Sequence, residues 1–118
     1  MYRMGSNVAV SAWLILALMG LAGPALAKDQ GKALYDRSCK VCHGADGRGD
    51  GPAAKAFRTP PPNFLDGTFW KPEADQAIAQ SIEKGKGSMP AIRLSPEQIA
   101  KVVEYMNRAF KTPALAQP

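Results

Sequence analysis

The cysteine and histidine residues of this sequence are concentrated at one place. The chain has two cysteines and one histidine, and Cys39, Cys42 and His43 lie together within residues 39–43. Two thiols one helical turn apart can add to the two vinyl groups of one porphyrin, and the adjacent imidazole can then bind the iron. The segment is predicted to attach one haem c covalently through Cys39 and Cys42, with His43 as the proximal iron ligand.

A cysteine pair at this spacing also occurs in disulfide exchangers, structural disulfides and zinc sites. A structural zinc needs four nitrogen or sulfur ligands, and the chain offers three cysteine and histidine side chains in all. A thioredoxin-like domain needs a βαβ pattern around its cysteines, and none is visible in the sequence. A disulfide between Cys39 and Cys42 stays open as an alternative, although it leaves His43 without a role.

The second axial ligand has to come from a residue type other than histidine. Beyond residue 27 the methionines are Met89 and Met106. Met106 lies on the apolar face of a predicted helix and is explained as a core residue, whereas Met89 lies in an irregular segment between two predicted helices. Met89 is therefore the predicted distal ligand. Histidine and methionine ligation raises the reduction potential and leaves no site for oxygen, so it favours electron transfer over catalysis at the iron.

The N-terminal segment has the layout of a secretory signal peptide. Arg3 precedes an apolar stretch at residues 8–22, and small residues follow at 25–27. This pattern predicts a cleaved signal peptide over residues 1–27, leaving residues 28–118 as one monohaem domain in the periplasm. The alternative is an uncleaved anchor, because residues 8–26 are just long enough to span a bilayer. Export agrees with haem attachment, since bacteria form the thioether bonds outside the cytoplasmic membrane.

The charge balance points to protein partners. The chain carries a formal net charge of +5, of which Arg3 contributes one. A small positive excess favours transient docking to acidic surfaces of an electron donor and an electron acceptor. No basic stripe interleaved with aromatic residues supports nucleic-acid binding. Membrane contact is expected only through a retained leader or a membrane-bound partner, and the free protein is expected to be a monomer.

Residue periodicity predicts helices separated by long loops and no strand. A first helix is predicted from residue 29 or 30 to about residue 42, and a second from about 72 to 84. Glycine and proline residues between 44 and 72 exclude long regular elements. A third helix is predicted from Ser95, with a frayed tail from Pro113 onward. The positions expected to be buried on the later helices are Ile78, Ile82, Ile99, Val102, Val103, Met106 and Phe110.

The chain resembles the class I cytochrome c family, specifically the small bacterial monohaem members and the cytochrome domains attached to terminal oxidases. The residues that carry the resemblance are Gly31, Tyr35, the segments 39–44, 47–52 and 87–90, Val102 and Tyr105. The resemblance implies an all-α cytochrome c fold with three to five short helices and long loops wrapped around one covalently attached haem. It also implies that the first and last helices cross near Gly31 and Tyr105.

The resemblance further implies roles for two residues around the cofactor. The Pro52 carbonyl is expected to accept a hydrogen bond from the His43 ring nitrogen that does not bind iron. Trp70 resembles an indole that donates to a haem propionate, although an ordinary packed aromatic residue is an equal alternative. Residues 60–64 resemble a proline-bearing segment that covers the propionate edge.

Several other side chains near these positions have two interpretations each. The aromatic residues Phe57, Phe64 and Phe69 are equally consistent with hydrophobic packing. The basic residues Lys40, Lys84, Lys86 and Arg93 are expected either to surround an exposed haem edge and guide partners, or to be simply solvated.

These features together predict a periplasmic one-electron carrier that is not itself an enzyme. The alternative is a fixed cytochrome c subunit of a larger oxidoreductase, such as a sulfur-compound oxidase, a dehydrogenase or a terminal oxidase. A third hypothesis is a haem sensor or peroxidase in which Met89 detaches from the iron.

Overall fold

A computed structural model describes the backbone of residues 23–118 and the side chains of residues 30–118. The helices are α1 (Gly23–Ser38), α2 (Lys40–His43), α3 (Ala74–Lys84), α4 (Pro96–Met106) and α5 (Thr112–Leu115), with short 3₁₀ helices at Pro52–Ala56 and Gly67–Phe69. Within residues 23–118 the only β-type pairing is an isolated bridge between Lys86 and Met89. The predicted all-α fold with long loops is confirmed.

The fold is organised by the crossing of α1 over α4. A Cβ atom at Gly31 would overlap the carbonyl oxygen of Lys101 and lie 2.9 Å from the Cβ of Tyr105, so only glycine allows this approach. Gln30 and Lys101 form a hydrogen bond across the same crossing. The ring of Tyr35 lies 5.4 Å from that of Tyr105. The crossing implied by the family resemblance is confirmed.

Helices α3 and α4 begin and end where local sequence signals place them. Ser95 and Gln98 form a reciprocal capping box, in which each side chain satisfies the backbone N–H of the other residue. Gly85 follows α3 with a φ of 77°, as suits a residue beyond a helix terminus. Ile78 and Ile82 are buried. On α4 and the turn that follows it, Ile99, Val102, Met106 and Phe110 are buried, while Val103 is partly buried against them.

The C-terminal end departs from the prediction. The chain continues from α4 through a π-helical turn at Asn107–Lys111 into α5, and Ala114 is buried in the core. The prediction of a helix stop before Pro113 and a frayed tail there is wrong. Proline disrupts a regular α-helix because it lacks an N–H and clashes with the carbonyl four residues earlier. The wider turn changes the spacing of these carbonyls, and the N–H of Thr112 instead donates to the carbonyl of Asn107.

The N-terminal predictions are tested only in part. Most of the predicted signal peptide lies outside the described residues, and its cleavage stays a prediction. The described part of α1 begins at Gly23, earlier than the predicted start, since Pro24 is tolerated in a first helical turn. Between residues 23 and 118, none of the helices combines the length and apolar character that a membrane span requires.

We expect Gly31→Ala to destabilise the protein, because the added methyl group overlaps the backbone of α4. The expected loss in the free energy of unfolding is about 1–3 kcal/mol, as for other overpacked sites. Ala33→Gly is the matched control, because Ala33 is an exposed position of the same helix. There glycine should cost about 0.5–1 kcal/mol for its backbone freedom alone. Chemical unfolding of the haem-loaded proteins measures both, and a stabilising Gly31→Ala substitution contradicts the prediction.

Candidate functional site

The cysteine segment forms a single helical turn at the end of α1. Cys39 interrupts the helix, with φ −120° and ψ −38°, and α2 follows directly. The backbone N–H groups of Cys42 and His43 both donate to the Cys39 carbonyl, at 3.2 and 2.9 Å. Both cysteines are free thiols, so the alternative disulfide is not formed in this structure. The structure therefore places the two thiols on one turn, with the imidazole next to them.

The electrostatic state of this segment follows mainly from burial. Burial, aided by the neighbouring Cys42, raises the pKa of the Cys39 thiol to about 11. Burial also lowers the pKa of His43, so the imidazole is neutral at pH 7, the form in which a ring nitrogen can bind a metal. Nδ1 of His43 is buried and has no hydrogen-bond partner among the described residues. A buried polar atom without a partner is costly, so a hydrogen-bond acceptor for Nδ1 would stabilise the site.

The donor set fits a porphyrin better than a bare metal ion. Among the side chains of residues 30–118, no three His, Cys, Asp or Glu residues come together as a metal-binding group. A haem brings four nitrogen ligands of its own and needs only axial donors from the protein. Two thiols on one turn and a neutral imidazole meet that requirement.

Tyr35 ties the segment to the helices. Its hydroxyl donates to the Gly44 carbonyl at 2.8 Å, and its backbone carbonyl accepts from the Cys39 N–H at 2.9 Å. The side chain is 1% exposed, and its ring packs 5.3 Å from that of Phe110. Burial raises the pKa of Tyr35, which keeps the hydroxyl protonated as a donor. The end of α2 is thus attached to the helix crossing.

The loop that follows returns to cover the carbonyl groups of α2. Gly49 donates to the His43 carbonyl at 2.8 Å, and Gly51 donates to the Cys42 carbonyl at 3.1 Å. These bonds satisfy acceptors that a helix end otherwise leaves unpaired. A Cβ at Gly51 would overlap the carbonyl oxygen of Val41. The loop can therefore pass this close to α2 only with glycine at this position. Pro52 comes next and begins a 3₁₀ helix that contacts α2.

The structure brings Pro52 to the site without the hydrogen bond that the resemblance implies. Nδ1 of His43 has no partner among the described residues, so the Pro52 carbonyl does not accept from it in this structure. The expected bond stays a prediction for the haem-bound protein.

Trp70 has its indole N–H engaged elsewhere. Nε1 donates to the backbone carbonyl of Phe64 at 2.8 Å, in a buried contact. Trp70 is 7% exposed, and Nζ of Lys111 lies 5.7 Å from its ring centre. Trp70 packs within the core cluster, and its one donor is used by Phe64 in this structure. Its role as a propionate donor stays a prediction for the haem-bound protein.

Phe64 is a site residue that sequence reasoning missed. Its ring stacks on the His43 imidazole, with ring centres 5.0 Å apart and planes 18° apart. Phe64 reaches His43 through the long loop, so no helical periodicity relates the two positions. The only sequence signal is its place directly after the prolines at 60–62 and Asn63, in the segment that resembles a haem-covering loop.

The two methionines lie in different environments. Met106 is 3% exposed within the core, which confirms its interpretation as a core residue. Met89 ends a tight turn, where its N–H and carbonyl pair with those of Lys86 at 3.0 Å each. Its side chain is partly buried against the core. The structure thus holds Met89 by its backbone on the segment between α3 and α4.

The basic residues singled out in the sequence are exposed. This group comprises Lys40, Lys84, Lys86 and Arg93. None of them takes part in the ion pairs found among the described residues, so their charges are available to solvent or to a partner.

The sequence of this chain is similar to those of several known cytochromes. The profile of the family described as "Cytochrome C oxidase, cbb3-type, subunit III" matches residues 26–106. The chain is 38% identical over 78 residues to cytochrome c6 of Chlorolobion braunii, covering 64% of this chain and 83% of that protein. It is 32% identical over 110 residues to cytochrome c-555 of Chlorobaculum tepidum, covering 82% and 92%.

Two of the other similar proteins belong to larger assemblies, and a third is described as a c-type cytochrome. The chain is 33% identical over 91 residues to the cbb3-type cytochrome c oxidase subunit CcoP of Rubrivivax gelatinosus, covering 70% of this chain but 27% of that subunit. A solved chain of the reducing HAO-like protein complex Kustc0457/Kustc0458 of Kuenenia stuttgartiensis matches with a TM-score of 0.60 and 26% identity, covering 71% of this chain and 44% of the other. The KustC0563 c-type cytochrome matches with a TM-score of 0.54 and 28% identity, covering 69% and 96%.

We expect Tyr35→Phe to lower the free energy of unfolding by about 0.5–1.5 kcal/mol, the usual contribution of one intramolecular hydrogen bond. The packing of the ring is retained, so the loss reports the bond to Gly44. Tyr105→Phe is the control, because the Tyr105 hydroxyl makes no hydrogen bond within the described residues. Chemical unfolding measures both, and equal losses in the two variants contradict this role of the Tyr35 hydroxyl.

Proposed function

Because the chain belongs to the c-type cytochrome family, we propose that it is a one-electron carrier of the periplasm with one haem c. Cys39 and Cys42 hold the haem covalently, and His43 and Met89 are its axial ligands. The observation that carries the proposal is the single turn at residues 39–43, where both thiols are free and a neutral imidazole lies next to them. A haem held there supplies a one-electron couple at its iron.

The protein's part in this function is to bind, orient and shield. Cys39 and Cys42 fix the attachment point on the end of α1, and His43 presents a neutral nitrogen to the metal. Tyr35, through its hydrogen bond to Gly44, and the return loop hold this turn in place. The side chains classed as buried among residues 30–118 are hydrophobic, so the surroundings are of low polarity and exclude water. Such surroundings tune a redox centre.

Met89 is proposed as the distal ligand because packing in the core explains the presence of Met106 but explains that of Met89 only in part. Met106 is 3% exposed and packs among buried residues, whereas Met89 is only partly buried and is fixed by its backbone. A thioether is a soft ligand that favours the reduced metal and raises the potential. With both axial positions filled by His43 and Met89, reversible electron transfer is favoured over oxygen or peroxide chemistry.

The proposed partners are a redox donor and a redox acceptor with acidic docking surfaces. The chain is positively charged overall, and its lysines at positions 40, 84 and 86 are exposed. Such charges raise the rate of encounter while leaving the complex weak enough to dissociate quickly. Periplasmic location is proposed from the predicted leader over residues 1–27.

A fixed subunit of a larger oxidoreductase is the second candidate. Similarity to a cbb3-type oxidase subunit and to a chain of an HAO-like complex favours it. The electron-transfer chemistry would be the same in both cases. Purification from the native source separates the two: a stable complex favours the subunit, and a free monomer favours the carrier.

We expect mass spectrometry of the exported protein to show the mass of the polypeptide plus one haem, and a first residue of Lys28. The double variant Cys39→Ala/Cys42→Ala is the control and should show the polypeptide mass alone, because both thioether bonds are removed. A wild-type mass without haem would sink the proposed function. A first residue before Lys28 would instead overturn only the predicted cleavage site.

We expect Met89→Ala to abolish the methionine-to-iron charge-transfer band and to lower the reduction potential, because a soft neutral donor is replaced by water or by an open position. Met106→Leu is the matched control, since Met106 lies in the core and Leu conserves its volume. Absorption spectra and redox titration measure both variants. Loss of the band in Met106→Leu and not in Met89→Ala would reverse the ligand assignment.

A further inference from the structure

We propose that Phe64 is a positioning residue for His43, whose ring fixes the plane in which the imidazole is presented to the metal. The inference rests on the proposed function, in which His43 is the proximal ligand. It adds a residue that neither the cysteine motif nor the ligand assignment includes.

The contact between the two rings is specific in its geometry. Their centres are 5.0 Å apart and their planes differ by 18°. Nearly parallel stacking restricts rotation of the imidazole about its Cβ–Cγ bond, because a rotated ring would lose the face-to-face contact or clash with the phenyl ring. Phe64 is 4% exposed, so it has little space to move away.

Packing is the contact that orients this imidazole in the structure. Metal-binding histidines usually have their orientation fixed by a hydrogen bond from the ring nitrogen that does not bind the metal. Nδ1 of His43 is buried without a partner among the described residues, so no such bond restrains it here. The stacked face of Phe64 restrains the ring in this structure, and in the haem-bound protein it would act together with the bond expected from the Pro52 carbonyl.

Phe64 is itself held independently of His43. Its N–H donates to the Gly47 carbonyl at 2.7 Å, and its own carbonyl accepts from the Trp70 indole at 2.8 Å. On the ring, Phe110 stacks at 5.8 Å with a 26° angle, and Phe69 contacts it at 5.0 Å with a 60° angle. A residue restrained through its backbone and its ring can act as a fixed surface for a neighbouring side chain.

The plane of an axial imidazole is observable because it controls how the ligand's π orbitals overlap with those of the metal. In an oxidised, low-spin c-type cytochrome, this overlap determines the paramagnetic shifts of the haem methyl protons. A purely structural role for Phe64 would lower stability without altering that pattern.

The test compares the haem-loaded, oxidised proteins by proton NMR. We expect Phe64→Leu to change the order or spread of the haem methyl shifts, while the methionine-to-iron charge-transfer band is retained. Phe64→Tyr should restore the wild-type pattern, because the stacked ring is kept. Phe57→Leu is the matched control: it makes the same chemical change in a partly buried ring that lies outside the core cluster containing Phe64, and it should leave the pattern unchanged.

Two results overturn the inference alone. One is a wild-type shift pattern in haem-loaded Phe64→Leu, and the other is an equal change in Phe57→Leu. If Phe64→Leu does not fold, nuclear Overhauser contacts in the reduced wild-type protein decide: cross-peaks between the Phe64 and His43 ring protons are expected, and their absence rejects the stack. A wild-type chain without covalent haem overturns the proposed function as well, which separates the two failures.

Discussion

At Gly31, α1 approaches α4 so closely that no side chain fits between the two helices. Because α1 ends at the cysteine turn, the position of this crossing determines where Cys39, Cys42 and His43 lie relative to the core. A side chain at Gly31 would push against the backbone of α4 at Lys101. The resulting displacement would carry the attachment turn away from the aromatic residues that pack against it.

A series of contacts between aromatic rings connects the helix crossing to His43. Tyr35 contacts both Tyr105 and Phe110, at 5.4 and 5.3 Å. Phe110 in turn stacks on Phe64, which stacks on His43. Rigid rings have few rotatable bonds, so a contiguous set of them loses little conformational entropy on burial. A small domain with a limited core gains both stability and a defined imidazole position from the same contacts.

Local signals in the sequence predicted most of the helical framework. The capping box of Ser95 and Gln98 and the buried spacing of Ile78 and Ile82 depend on residues three or four apart, so they are visible without a structure. The cysteine turn was predicted for the same reason. The stacking of Phe64 on His43 was not predicted. It depends on the course of a long irregular loop, and residue periodicity does not predict the course of such a loop.

Two further differences have equally physical causes. The indole of Trp70 donates to the Phe64 carbonyl because a buried N–H needs a partner and that carbonyl lies within reach. The helix continues past Pro113 because the π-helical turn before it changes the spacing of the backbone carbonyls that proline would otherwise clash with. Both features depend on tertiary contacts and on local changes in backbone geometry, which the helix and turn preferences of single residues do not reveal.

The C-terminal turn also has a practical consequence for handling the protein. The chain folds into the core as far as Ala114, and the residues from Leu115 to Pro118 are exposed. A linker to an electrode that is attached within residues 115–118 would not touch the packed part. A truncation that removes Ala114 would instead open the core next to Gly67. The Ala114 carbonyl oxygen is the atom that a Cβ at Gly67 would approach most closely. Immobilisation for direct voltammetry is therefore best made through the exposed C-terminal residues.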